Sequence, residues 1–210
     1  FPFSTASPYK LYFQQTINLD SSENTVRLSG INPYLQGYII PEIPSAWGES
    51  LQCGPDPIRA DIPSCNYRSI PPSIAPSDPK TWLTVQTELL APGSGKIVIG
   101  GTNTRNCRLY FDSKIATARV NGSTGAVQPL FPFPAEGIDE FRLWSRDWER
   151  GWEVNVTWEG EAGLAGRAAC EWAEEGDVPA LKEVLGFLPP WARVTKRTDG
   201  LVEGWKTFSL

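Results

Sequence analysis

Histidine does not occur among the 210 residues of this chain, and neither does methionine. The first absence removes the commonest metal ligand and the commonest general base. It also removes the one side chain that ordinarily changes charge between about pH 5 and 8. Chance is the simplest account, and a surface that tolerates a mildly acidic compartment is the sharper one. With Phe1 in first place and no methionine, the chain reads as a piece of something longer or as a processed product. Basic excess is missing too: 19 Lys and Arg stand against 24 Asp and Glu, a formal charge of −5. That argues against phosphate-backbone binding and hence against nucleic acid, which needs a basic stripe. No apolar run reaches the ~18 residues of a membrane span, and the start does not resemble a signal peptide. There is no Gly-x-Ser-x-Gly, and Gly93-Ser94-Gly95-Lys96 lacks both the spacing and the helix of a phosphate loop.

What is present belongs to a folded, strand-rich protein. Hydrophobic residues make up 40% and charged ones 20%, which is globular rather than disordered. At this length one large all-β domain over residues 1–210 is the default. The 4 cysteines are Cys53, Cys65, Cys107 and Cys170. None is in a Cys-x-x-Cys pair, and without histidine a zinc site would need all of them, so disulfides are the better reading. Three pairings exist. Cys53–Cys65, close in sequence across a Pro-rich loop, and Cys107–Cys170, tying two strands, are the favoured ones. No metal site and no cofactor follow from these residues.

Strand patterns recur along the chain. Lys10 to Leu19 alternates, and Thr25–Leu28 and Gln36–Ile40 read as shorter strands. Gly54 to Pro79 holds seven prolines, so it reads as a wrapping loop and not a central strand. Trp82–Leu90, Lys96–Ile99, Cys107–Phe111 and Ile115–Val120 follow. The stretch Ile138 to Trp158 reads as an antiparallel hairpin turning at Glu149-Arg150-Gly151, with Trp152, Val154, Val156 and Trp158 on its inner face. Leu164–Trp172 is a strand carrying Cys170. One helix follows, capped by Asp177 with Pro179 in its first turn. Trp191–Lys196 and Leu201–Leu210 read as a closing hairpin. The expectation is an antiparallel β-sandwich of about twelve strands with one short helix near the C-terminus.

Two sequons, Asn121-Gly122-Ser123 and Asn155-Val156-Thr157, mark Asn121 and Asn155 as acceptors for N-linked glycans. With an even cysteine count they point to a secretory-pathway lumen. Of the 9 tryptophans, Trp144 and Trp148 interleave with Arg142 and Arg146. The functional reading is a flat platform for a sugar ring, and the structural one is a cation–π ladder. Asp139 and Glu140 point to opposite strand faces and cannot serve as a glycosidase pair. Glu171 to Asp177 reads as a solvated acidic run. No catalytic residue emerges.

Several segments together resemble a known family: Phe1-Pro2-Phe3-Ser4; Leu11-Tyr12-Phe13-Gln14-Gln15-Thr16; Gly101-Thr102-Asn103-Thr104-Arg105-Asn106-Cys107-Arg108-Leu109-Tyr110-Phe111-Asp112; Leu143-Trp144-Ser145-Arg146-Asp147-Trp148; and Val194-Thr195-Lys196-Arg197-Thr198-Asp199-Gly200-Leu201-Val202-Glu203-Gly204. This is similar to the C-terminal lumenal domain of fungal vacuolar membrane proteases, polytopic zinc-dependent metallopeptidases of the aminopeptidase-like family twenty-eight. The resemblance implies zinc ligands and membrane helices in other parts of such a protein and no catalytic residue here. It implies a place on the lumenal face of the vacuolar membrane, held there only through the parent chain. The expected partners are the catalytic or membrane portion of the same protein, or another lumenal protein. A carbohydrate-binding module using the Trp/Arg face is the rival expectation.

Overall fold

Alternating apolar residues build strands throughout, and the described residues form twelve of them with one α-helix. It is a computed structural model that describes residues 2–48, 50–57, 59–74, 78–121, 133–148, 150–160, 162–173 and 177–210. Of the nine strand pairs whose register is described, eight are antiparallel and one is parallel, which is the mostly antiparallel all-β class expected from the sequence. The chain divides into two compact units: Phe1–Pro76 with Trp172–Glu203, and Ser77–Glu171 with Gly204–Leu210.

In the first unit the strands β1 (Tyr9–Asn18), β2 (Asn24–Ser29), β3 (Gln52–Pro55) and β4 (Pro63–Arg68) run side by side in the order β3-β4-β2-β1. Leu11, Phe13, Val26, Leu28 and Tyr67 turn inward and are buried. Each such aliphatic side chain contributes about 1.5–3 kcal/mol by leaving water. The Pro-rich stretch does hold a central strand, against expectation, since β4 lies between β3 and β2. Its proline is tolerated because Pro63 is the first residue of β4 and faces Pro55, the last of β3, so the missing N–H falls at the end of the ladder. Gln36–Ile40 is not a strand. Residues 35–47 form short helical turns, in which Leu35 and Ile39, four residues apart, are both buried, and Pro41 and Pro44 each open a turn.

The expected closing hairpin is also corrected. The strand β11 (Ala192–Lys196) pairs with β1, in parallel, from Tyr9↔Ala192 to Phe13↔Lys196. The helix α1 (Pro179–Phe187) forms where its spacing predicted, burying Ala180, Leu181 and Val184. Its N-cap is Val178 and not Asp177. The Asp177 carboxylate instead accepts from Lys182 Nζ at 2.9 Å, and its main-chain carbonyl accepts from Ser73 N.

In the second unit β5 (Leu83–Ala91), β6 (Ser94–Gly101), β9 (Trp152–Trp158), β7 (Asn106–Asn121) and β10 (Ala165–Trp172) are neighbours in that order, and β8 (Ile138–Trp144) adds to β7. The strand β12 (Val202–Ser209) begins in the first unit, and its second part, from Gly204, lies beside β10 in this one. The hairpin expected over Ile138–Trp158 does not form. The strand β7 is 16 residues long and continues through Asp112-Ser113-Lys114, which had looked like a break. Its first part pairs with β8 from Asn106 to Tyr110, and its last part pairs with β9 from Ile115 to Asn121. The strand β8 therefore spends its ladder on β7, and β9 lies between β7 and β6. Trp152, Val154, Val156 and Trp158 are buried as their alternation required.

Both favoured disulfides are present, Cys53–Cys65 and Cys107–Cys170. Each joins residues directly opposite in register, across β3/β4 and β7/β10. No thiol is left free.

Candidate functional site

Directly opposite residues of an antiparallel pair share a face. In the second unit, register therefore sets Asn106, Arg108 and Tyr110 of β7 in rows with Trp144, Arg142 and Glu140 of β8 and with Glu171, Ala169 and Arg167 of β10. The alternate residues Cys107, Leu109 and Leu143 are buried. On the opposite face Asn106, Ala169 and Glu171 are buried as well, while Trp144, Arg142 and Glu140 are exposed and Arg108, Tyr110 and Arg167 are half-buried.

Three guanidinium groups order this face. Arg105 lies over the Trp148 ring at 4.7 Å and over the Trp144 ring at 6.0 Å from the centroids. Arg167 lies over Tyr110 at 4.3 Å and over Trp205 at 5.7 Å. Arg108 bonds Glu140 Oε1 at 2.5 Å and approaches Glu171 Oε1 at 3.8 Å. A cation over an aromatic face contributes about 0.5–1 kcal/mol at exposed sites.

The indoles singled out from the sequence, Trp144 and Trp148, are 54% and 36% exposed. The cation between them is Arg105 and not Arg142 or Arg146. The alternation that placed Arg146 and Trp148 on the strand face stops because β8 ends at Trp144. Ser145 N then donates to Arg105 O at 2.9 Å, which sets Arg105 beside the indoles, and Asp147 N donates to Ser145 Oγ at 3.0 Å, turning the chain so that Trp148 folds back. Sequence reasoning missed Arg105 because it lies on a different segment, and only the pairing of β7 with β8 shows the contact.

Glu171, expected in a solvated run, is buried. Its Oε2 accepts from Asn106 Nδ2 at 2.7 Å, and its main-chain carbonyl accepts from the Thr104 hydroxyl at 2.5 Å. Residues 174–176 of that run lie outside the described residues. Glu140 and Glu171 both face Arg108, so these carboxylates are ion-pair partners of one cation. Histidine is absent from the chain and all four cysteines are in disulfides, and no cluster of three or more His, Cys, Asp or Glu able to hold a metal occurs among the described residues.

The two sequon asparagines meet on the polar face of β7 and β9. Asn155 Nδ2 donates to Asn121 Oδ1 at 3.4 Å, and Asn121 Nδ2 donates to Glu153 Oε1 at 2.5 Å. Both side chains are half-buried. Gly122 and Ser123 lie outside the described residues.

A family model described as "Vacuolar membrane protease, C-terminal domain" matches residues 9–203. The chain is 40% identical over 220 residues to the vacuolar membrane protease of Schizophyllum commune, a match covering 100% of this chain and 24% of that protein. It is 38% identical to that of Aspergillus oryzae, covering 100% of this chain and 22% of the relative. The chain thus spans less than a quarter of the length of these two relatives. Among solved structures, a Danio rerio Fcho1 Mu homology domain with bound Eps15 peptide aligns at TM-score 0.29 and 11% identity, over 94% of this chain and 92% of that one. That likeness is too slight to bear on fold or function.

Proposed function

The chain belongs to the family of vacuolar membrane protease C-terminal domains, and we propose that it serves its parent as a non-catalytic, lumenal interaction module. The parent, on this reading, is a membrane-anchored zinc metallopeptidase whose zinc and catalytic residues lie in other segments, and the domain stabilises or docks on that portion. The observation that carries the proposal is the outward Trp144–Arg105–Trp148 stack. Tryptophan and arginine are among the residue types enriched at binding hot spots, and here Arg105 lies over both indoles, which are exposed. The disulfides and the sequons support the lumenal setting, since both belong to oxidising compartments.

The test is capture. The chain is immobilised and the remainder of the parent, expressed separately, is passed over it. Wild type should retain the remainder, and the Trp144→Ala, Trp148→Ala double variant should bind at least about tenfold more weakly, as loss of a hot spot of ~2 kcal/mol predicts. Equal retention by both would sink the reading. The exposed Trp144 ring also favours a second reading, a sugar-stacking platform. A glycan array scored with the same double variant decides it, because a sugar ligand must lose its signal when the indoles go.

A further inference from the structure

The parallel strand β11 has a partner on only one edge among the described residues. Along a strand, successive residues send their N–H and C=O groups to opposite edges. Tyr9 N donates to Trp191 O at 2.9 Å, so 191, 193 and 195 face β1. The backbone groups of Val194 and Lys196 therefore point away from it. Val194 and Lys196 also line a half-open groove of about 450 Å³, together with Leu181 and Leu185 of α1 and Leu201. The only ionisable side chains among its lining residues are Arg193 and Lys196, both cationic and exposed.

We propose that this groove takes an extended acidic peptide as an added strand on β11. This deepens the interaction reading above by naming a second contact and its chemistry. Unused strand donors and acceptors next to an apolar helix face are what a β-strand ligand requires: main-chain bonds give affinity and alternate side-chain pockets give specificity. Apolar side chains at every second position of the ligand drop between Leu181, Leu185 and Val194. Carboxylates at the intervening positions reach Arg193, on the strand face opposite Val194, while Lys196, on the Val194 face, meets an acidic residue or the free carboxylate at the end of the apolar row. A lipid surface would leave the Val194 and Lys196 main-chain groups without partners, and a basic peptide would meet two like charges. An acidic strand satisfies both sets.

The probe is a short fluorescein-labelled peptide of alternating Glu and Val, titrated into the chain by anisotropy, with Lys/Val and Ser/Val peptides beside it. The Glu/Val peptide should bind at least about tenfold more tightly than the Lys/Val peptide, about 1.4 kcal/mol. The double variant Arg193→Glu, Lys196→Glu should invert that order, a gain that misfolding cannot mimic. Hydrogen exchange at the Val194 and Lys196 amides should slow on binding. Absence of Glu/Val binding, an unchanged preference in the double variant, or protection confined to other strands would each overturn the proposal. The parent-capture experiment turns on Trp144 and Trp148, so its failure and the failure of this groove are read separately.

Discussion

Tyr67 is buried, and its hydroxyl has no hydrogen-bond partner among the described residues. Burial and, second, the Glu183 carboxylate push its pKa above the ordinary tyrosine value. Tyr9 is equally buried, but its hydroxyl donates to Ile31 O at 3.0 Å. The two residues should answer the same substitution oppositely. Tyr67→Phe removes an unsatisfied buried hydroxyl and should leave stability unchanged or raise it by about 1 kcal/mol. Tyr9→Phe removes a made hydrogen bond, leaving Ile31 O with only the Leu35 amide at 3.2 Å, and should cost about 1 kcal/mol. Urea titration of both variants reads the difference, and a loss for Tyr67→Phe as large as that for Tyr9→Phe would show that the hydroxyl has a partner after all. Nothing in the one-dimensional pattern separates these tyrosines, since both sit at inward strand positions.

The two disulfides cross-link neighbouring strands at matched register, yet they close loops of different length. Sequence separations are 12 for Cys53–Cys65 and 63 for Cys107–Cys170. Loop-closure entropy in the unfolded chain then assigns them about 3 and about 4 kcal/mol. The pair Cys107→Ala, Cys170→Ala should therefore lose more stability than Cys53→Ala, Cys65→Ala, measured by urea midpoint at constant slope. The reverse order would mean that strain or residual unfolded structure outweighs chain entropy. These strands also show where reading a sequence works and where it stops. The alternation of Trp152, Val154, Val156 and Trp158 fixed a face correctly, because burial on one side imposes period 2. Partner choice was not legible. Nearness along the chain suggested pairing β8 with β9 and β11 with β12, whereas β7 takes the first two and β1 takes β11. Local pattern reports a strand's sidedness, while its neighbour depends on which long strand has an edge to offer. The surface stack behaved the same way: both indoles were visible as a motif, but Arg105 reaches them only through the β7–β8 ladder.

For the whole molecule, the lack of histidine becomes a statement about stability and pH. With no imidazole to titrate, no side chain of ordinary pKa changes charge between about pH 6 and 9, and unfolding free energy should be level across that window. Above it, the buried tyrosines take over. Burial raises the pKa of Tyr9 and Tyr67 in the folded protein above the ordinary value of about 10. The folded state then holds those protons where the unfolded chain releases them, so stability is full below about pH 10 and falls as pH rises beyond it. Two such groups should steepen the fall, and Tyr67→Phe should remove one share of it. The variant's advantage over wild type should thus be larger at pH 11 than at pH 8, by urea titration at both. An advantage that stays constant, or a decline already present between pH 6 and 9, would place the sensitive group somewhere other than these two hydroxyls.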